Sequence, residues 1–214
     1  MSELSLLDKE LTLKIYGAFE MHRWVARVDS VGKQPGGGVV VDLHYRQPVA
    51  WVEVPASMTE SDLDSILPID VQGVLLPPEE LKHRVAEFPP RISVSSLSPW
   101  PHRAGLPWKD ARVSGAAMIA SLLADSWREL RLNRIKAYSV TPDDNQEGFF
   151  LLETASGKEI EWGRAPGKEQ PNEPLAADKV ERLRQHASQY GLSDPSREID
   201  LRWGSRSVDT SLNR

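Results

Sequence analysis

The sequence predicts an α+β fold in which a small helix–hairpin unit precedes a larger mixed unit with an antiparallel meander. Two observations predict it. Three stretches carry apolar residues at the helical period, and several short runs rich in β-branched residues lie between turn residues. The 214 residues, 40% of them hydrophobic and 27% charged, are enough to bury a core without added cross-links.

The chain is predicted to start with a helix over residues 4–28. Its apolar side chains recur near the 3.6-residue period, at Leu7, Leu11, Ile15, Phe19 and Trp24. The sequence Pro-Gly-Gly-Gly at 35–38 then breaks the chain and is typical of a turn. We therefore expect one helix and one turn before the first strand.

Two strands are expected to follow as a hairpin. Residues 39–45 are rich in β-branched residues, and residues 49–54 form a second apolar run. Only three residues separate the runs, which suits a short hairpin loop: Arg46, Gln47 and Pro48. The helix and this hairpin are predicted to form a first unit over residues 1–56.

A larger second unit is predicted over residues 66–207. It opens with two apolar runs on either side of an Asp-x-x-Gly motif at 70–73, which is typical of a tight hairpin whose glycine takes a positive φ angle. Residues 89–110 are rich in proline and serine, and we interpret them as an irregular loop that Trp100 and Trp108 anchor to the fold.

Helices and strands alternate in the rest of the second unit. A helix is predicted over 114–132 with Ser114 as its cap, and another over 175–190, ended by Gly191. Between the two helices, three strands are expected to form a meander, at 134–140, 148–154 and 158–162.

A last strand is predicted at 197–203. Because side chains alternate along a strand, Ile199, Leu201 and Trp203 are expected to point to one side of it. Residues 208–214 are expected to form a disordered tail.

Charge and composition exclude several classes of function. The net charge of −5 disfavours binding to a phosphate backbone, so we expect no nucleic-acid partner. The chain has no cysteine, which excludes disulfides, thiolate metal sites and cysteine nucleophiles. No apolar run approaches the ~18 residues of a membrane span, so the chain as given is expected to have no signal peptide or transmembrane segment.

The sequence also lacks the motifs of common catalytic sites. The five histidines are not spaced as metal ligands, and no serine elbow or phosphate-binding loop is present. The paired carboxylates lie in polar stretches, where solvation and helix capping explain them: Asp62 and Asp64, Glu79 and Glu80, Asp143 and Asp144. We therefore predict no enzyme activity, no catalytic residue, no metal and no cofactor.

Five short motifs stand in a fixed order between residues 20 and 205. They are Trp24-Val25-Ala26-Arg27-Val28, Arg46-Gln47-Pro48-Val49-Ala50, Asp70-Val71-Gln72-Gly73, Lys179-Val180 with Leu183, and Ile199-Asp200-Leu201-Arg202-Trp203. Each motif is short and degenerate, so their shared order carries the comparison. This order resembles the bacterial cell-division family FtsQ/DivIB over nearly the whole chain.

The resemblance implies an extracytoplasmic POTRA domain and a β-rich domain in the cell envelope, at the outer face of the inner membrane. It implies a non-catalytic divisome scaffold, which docks FtsB/FtsL-like coiled coils by adding a partner strand to an exposed sheet edge. The implied partner-binding residues are Ile199, Asp200, Leu201, Arg202 and Trp203. The residues implied to form a structural corner are Arg46, Pro48, Asp70 and Gly73.

Two departures from the family pattern leave alternatives open. The family has a membrane helix ahead of its POTRA domain, and that domain begins with a strand, whereas this chain shows neither. An upstream segment is expected to supply them, or the protein acts as a soluble relative. Ile199, Leu201 and Trp203 also suit the core of a strand that is paired on both sides. The other functions in view are a POTRA-type polypeptide-binding module unrelated to division and a cell-envelope hydrolase.

Overall fold

A computed structural model describes residues 9–55, 65–87, 90–97, 101, 103–139, 148–194 and 198–203. Within these ranges the chain is α+β, with four α-helices and eight strands in two sheets. The helices are α1 (Leu11–Glu20), α2 (Pro78–Leu81), α3 (Ala111–Leu123) and α4 (Ala176–Tyr190). The strands are β1 (Val25–Gln34), β2 (Gly38–Tyr45), β3 (Ala50–Glu53), β4 (Ile66–Ile69), β5 (Arg91–Val94), β6 (Leu132–Tyr138), β7 (Phe149–Thr154) and β8 (Glu159–Gly163). Trp100, the carboxylates at 143–144 and the predicted tail at 208–214 lie outside the described residues.

The N-terminal unit consists of α1 and an antiparallel hairpin of β1 and β2. The predicted hairpin was wrong in its partners, because β2 pairs with β1 and not with residues 49–54. The predicted helix was too long for a related reason: Val25 and Val28 are buried in a strand. β1 has register shifts after each of these valines, so its buried residues recur at a spacing that also suits a helix.

The larger sheet has six strands in the order β4-β3-β5-β6-β7-β8. The predicted meander is confirmed, since β6, β7 and β8 pair antiparallel in sequence order. β3 pairs with β4 and β5, so residues 50–53 belong to the larger sheet. β5 lies in the stretch that was interpreted as an irregular loop. It has only four residues and pairs parallel on both sides, which leaves too short a run for a periodic pattern.

The main core lies between one face of this sheet and the helices α3 and α4. The cap of α3 was predicted wrongly: Asp110 precedes the helix and accepts a hydrogen bond from the backbone N–H of Arg112. The end of α4 is confirmed, because Gly191 follows the helix with φ of 72°. The Asp-x-x-Gly hairpin is also confirmed, with Gly73 at φ of 74° and residues 69 and 75 paired.

Candidate functional site

The predicted docking strand lies at the outer edge of β8. We call residues 198–203 the terminal segment. Two backbone hydrogen bonds hold it: the N–H of Glu161 donates to the carbonyl of Ile199 at 3.0 Å, and the N–H of Leu201 donates to the carbonyl of Glu161 at 2.8 Å. Within residues 198–203 the contact is a single parallel bridge between Glu161 and Asp200, so this segment extends the sheet over a shorter stretch than predicted.

The five implied docking residues divide into core and surface. Ile199 and Leu201 are 5% and 2% exposed and belong to the main core, whereas Trp203 is 52% exposed. Trp203 departs from the predicted alternation because the chain bends at residues 202–203. The side chains of Asp200, Arg202 and Trp203 are therefore at least partly exposed, while Ile199 and Leu201 hold the segment onto the protein.

Asp200 and Arg202 form a fork within the terminal segment. The Arg202 Nε and Nη2 atoms donate to the two carboxylate oxygens of Asp200 at 2.9 and 2.7 Å, and the Arg202 backbone N–H donates to Asp200 Oδ1 at 2.9 Å. Partial burial raises the pKa of the Asp200 carboxyl, but these bonds outweigh it and the pKa is lowered. The guanidinium of Arg202 is thus already occupied by a carboxylate of its own chain.

The sheet face opposite α3, which we call the open face, carries an aromatic cluster beside this fork. The rings of Tyr138 and Phe149 lie 6.0 Å apart, and the guanidinium carbons of Arg164 and Arg202 lie 4.7 and 5.9 Å from the centre of the Phe149 ring. Gly163 permits this arrangement, because a Cβ atom there would come within 2.9 Å of the Arg202 side chain. Sequence reasoning missed this cluster. The signal that could have indicated it is the pairing of Tyr138 on β6 with Phe149 on β7.

Acidic groups collect on the open face where β8 meets the terminal segment. Burial raises the pKa of the Glu161 carboxyl. Arg202 opposes this rise from 3.7 Å, and the charges of Asp200, Glu159 and Glu198 add to it. Negative charge is therefore concentrated at this end of the sheet.

Two cations pair with the acidic groups further inside the open face. Lys136 pairs with Glu153 and with Glu159, the latter at 2.8 Å. Arg134 pairs with Glu53 at 3.1 Å and with Glu153 at 3.2 Å. Lys136 and Arg134 thus share the three carboxylates of Glu53, Glu153 and Glu159, whereas at the outer end Glu161 and Asp200 share Arg202.

The implied structural corner lies at the opposite edge of the sheet, where β2 leads into β3. Arg46 Nη1 lies 2.6 Å from Asp70 Oδ2, and the two side chains are 12% and 4% exposed. Asp70 Oδ1 accepts the backbone N–H groups of Gln72 and Val74, each at 2.9 Å. Gly73 donates its N–H to the Asp70 carbonyl at 3.0 Å. The structure thus brings Arg46, Asp70 and Gly73 together.

Pro48, the fourth corner residue, is half-buried in the link between β2 and β3. Glu79 and Glu80, a candidate carboxylate pair, lie close to this corner and bind Arg23 at 2.8 and 2.5 Å. Their place in ion pairs agrees with a structural role.

The described residues contain no group of three or more histidine, aspartate or glutamate side chains placed to hold a metal ion. In the same part of the chain, none of the helices has the length and apolar character that crossing a membrane requires. Neither a protein-family model nor a curated protein matches this chain.

Proposed function

We propose that this protein is a non-catalytic scaffold of bacterial cell division, which docks an FtsB/FtsL-like coiled-coil protein at the outer side of the terminal segment. The family assignment and the envelope location rest on the order of the five sequence motifs. The docking mode rests on one structural observation: the N–H and C=O groups of Asp200 have no backbone partner among the described residues.

That backbone faces away from the sheet. In a parallel pair, the two residues that flank a bridge direct their groups toward the neighbouring strand, and here these are Ile199 and Leu201. The N–H and C=O groups of Asp200 therefore point outward. Within the described ranges neither group has a backbone partner. An extended peptide that pairs there would continue the sheet by one strand.

Buried residues on the inner side give this edge a firm base. Ile199 and Leu201 pack into the main core, which holds the terminal segment in position against β8. Each backbone hydrogen bond to a partner contributes about 0.5–1.5 kcal/mol, and exposed Trp203 adds an aromatic side chain of the kind that dominates interface energies.

Calorimetric titration with the extracytoplasmic segment of the FtsB-like protein from the same organism tests this proposal. The informative variants are Asp200→Pro and Asp200→Ala, because both remove the carboxylate and only proline removes the outward N–H. We expect Asp200→Ala to bind more weakly than the wild type and Asp200→Pro to lose binding, with both variants folded by circular dichroism. A folded wild type that gives no heat with this segment would overturn the proposed partner.

A further inference from the structure

The strand register places one row of side chains across the open face. Lys136 on β6 faces Leu151 on β7, Leu151 faces Glu161 on β8, and Glu161 faces Asp200 in the terminal segment. A strand added outside the terminal segment has one residue opposite Asp200, and that residue continues the row. Its side chain is therefore the nearest partner neighbour of both carboxylates.

At the outer end of this row, the three carboxylates of Glu161, Asp200 and Glu198 are offset by two cations, Arg202 and Arg182. Arg202 directs its fork at Asp200, and its Nη1 atom lies 3.7 Å from Glu161 Oε2, beyond hydrogen-bond distance. Glu161 Oε2 is buried and has no hydrogen-bond partner within the described ranges. Exposed Glu198 adds a further negative charge beside the pair.

The other face of an added strand lies beside apolar residues. Ile199 and Leu201 are buried on the α4 side of the terminal segment, where they share a core with Leu183. Because side chains alternate along a strand, the partner residues on either side of the one opposite Asp200 point to this apolar side.

We infer that the docking strand of the partner carries a lysine or arginine between two apolar residues, and that this cation lies opposite Asp200 and binds Glu161. The inference rests on the proposed docking edge and specifies the chemistry of its partner. In a peptide with the pattern apolar–basic–apolar, the basic side chain lies beside the carboxylates of Glu161 and Asp200, and the apolar side chains lie on the side of Ile199 and Leu201. A central acidic residue would instead place a third carboxylate beside those two.

A variant of this protein tests the charge without altering the backbone of the terminal segment. Glu161→Gln keeps the shape of the side chain and removes one of the two carboxylates. We expect it to weaken binding of the FtsB-like segment roughly threefold, as for the loss of one partly exposed ion pair, and to reduce the salt dependence of binding. Glu129→Gln is the matched control, because it removes the same charge from an exposed residue away from this edge and should leave binding unchanged. Equal binding by wild type and Glu161→Gln would overturn the inference.

A pair of synthetic strand-forming peptides separates the inference from the identity of the partner. The peptides are identical except for a central lysine or glutamate between two valines, and amide chemical shifts of the full chain report their binding. We expect the lysine peptide to shift the amides of residues 198–203 and the glutamate peptide to have no effect at the same concentration. Equal shifts from both peptides, or none from either, would overturn the inference. If the lysine peptide binds and the FtsB-like segment does not, the inference stands and the proposed partner fails.

Discussion

The β4 edge and the β8 edge of the six-stranded sheet are each covered by a short segment of the chain itself, but the two covers differ. At the β4 edge, residues 74–76 fold back after the Asp-x-x-Gly turn and are at most 4% exposed. Two backbone bonds tie them: Asp70 donates to the Val74 carbonyl at 3.1 Å, and Leu76 donates to the Pro68 carbonyl at 2.9 Å. That edge is sealed inside the fold.

At the β8 edge, the described part of the chain provides one bridge, and the side chains of Asp200 and Arg202 beside it are partly exposed. An uncovered sheet edge invites pairing with any other strand, so proteins commonly block or charge such edges. Here the β4 edge is blocked by burial, whereas the β8 edge keeps an outward backbone and is marked by Glu161, Asp200 and Arg202. This contrast supports selective docking at β8. Carboxylates at a sheet edge disfavour pairing with acidic strands and favour a strand that carries a positive charge.

The largest effect is expected from breaking the sealed edge at Arg46. Arg46→Ala leaves the carboxylate of Asp70, which is 4% exposed, without its ion-pair partner. Removing one member of a buried pair is strongly destabilising, so we expect the free energy of unfolding to fall by about 3 kcal/mol in urea denaturation.

The control for this change is Arg23→Ala, which breaks exposed ion pairs with Glu79 and Glu80 in the same region. The side chain of Arg23 is 45% exposed and those of Glu79 and Glu80 are 61% and 42% exposed, so we expect a loss of less than about 1 kcal/mol. Equal losses for the two variants would show that the Arg46–Asp70 contact is no more important than a surface ion pair.

The structural corner of Arg46, Asp70 and Gly73 shows which contacts could be predicted from the sequence. The Asp-x-x-Gly turn was predictable because its backbone needs a glycine with positive φ, which is a local requirement. The contact of Arg46 with Asp70 joins residues 24 positions apart, and no spacing rule predicts it. Arg46 was singled out through the family resemblance alone.

The same limit applies to the sheet and to the β8 edge. β1 was missed because its register shifts disguise the strand period, and β5 because four residues carry too little pattern. In the terminal segment, alternation correctly placed Ile199 and Leu201 on one side, while the bend that exposes Trp203 has no signal in the sequence. Local patterns were therefore predictable, and pairings between distant residues were not.

The second largest effect is expected in the local stability of the two edges, which amide hydrogen exchange measures. The amide of Leu76 lies in the sealed edge, and the amide of Leu201 in the terminal segment. Opening the terminal segment breaks two backbone bonds and leaves the six-stranded sheet intact. We therefore expect Leu201 to exchange by local opening, with a free energy about 2 kcal/mol below that of Leu76.

One variant sharpens this second comparison. Arg202→Ala removes the fork that stiffens the terminal segment, so it should speed exchange at Leu201 and leave Leu76 unchanged. Equal protection of the two amides in the wild type would mean that both edges open only when the whole protein unfolds.

The smallest effect is the pH dependence of the β8 edge. Burial raises the pKa of Glu161, with Asp200, Glu159 and Glu198 adding to the rise and Arg202 opposing it. A carboxyl whose pKa is higher in the folded protein than in the unfolded chain destabilises the fold when it is ionised. This destabilisation is fully present above the raised pKa, and it disappears as pH falls toward the ordinary value of 4.5.

Glu161→Gln should consequently be more stable than the wild type at pH 7, and its advantage should shrink as pH falls toward 4.5. The Glu161 side chain is 38% exposed, so solvent screening limits the difference to less than about 1 kcal/mol. Urea denaturation of both proteins across this pH range measures it. Titration of Asp200 does not overlap with this pH range. Its pKa is lowered from 3.8, so its contribution to the free energy of unfolding is lost only at lower pH. A difference in the free energy of unfolding that stays constant with pH would show that protonation of Glu161 is not linked to folding. The carboxylate of Glu161 would then be well solvated in the folded protein.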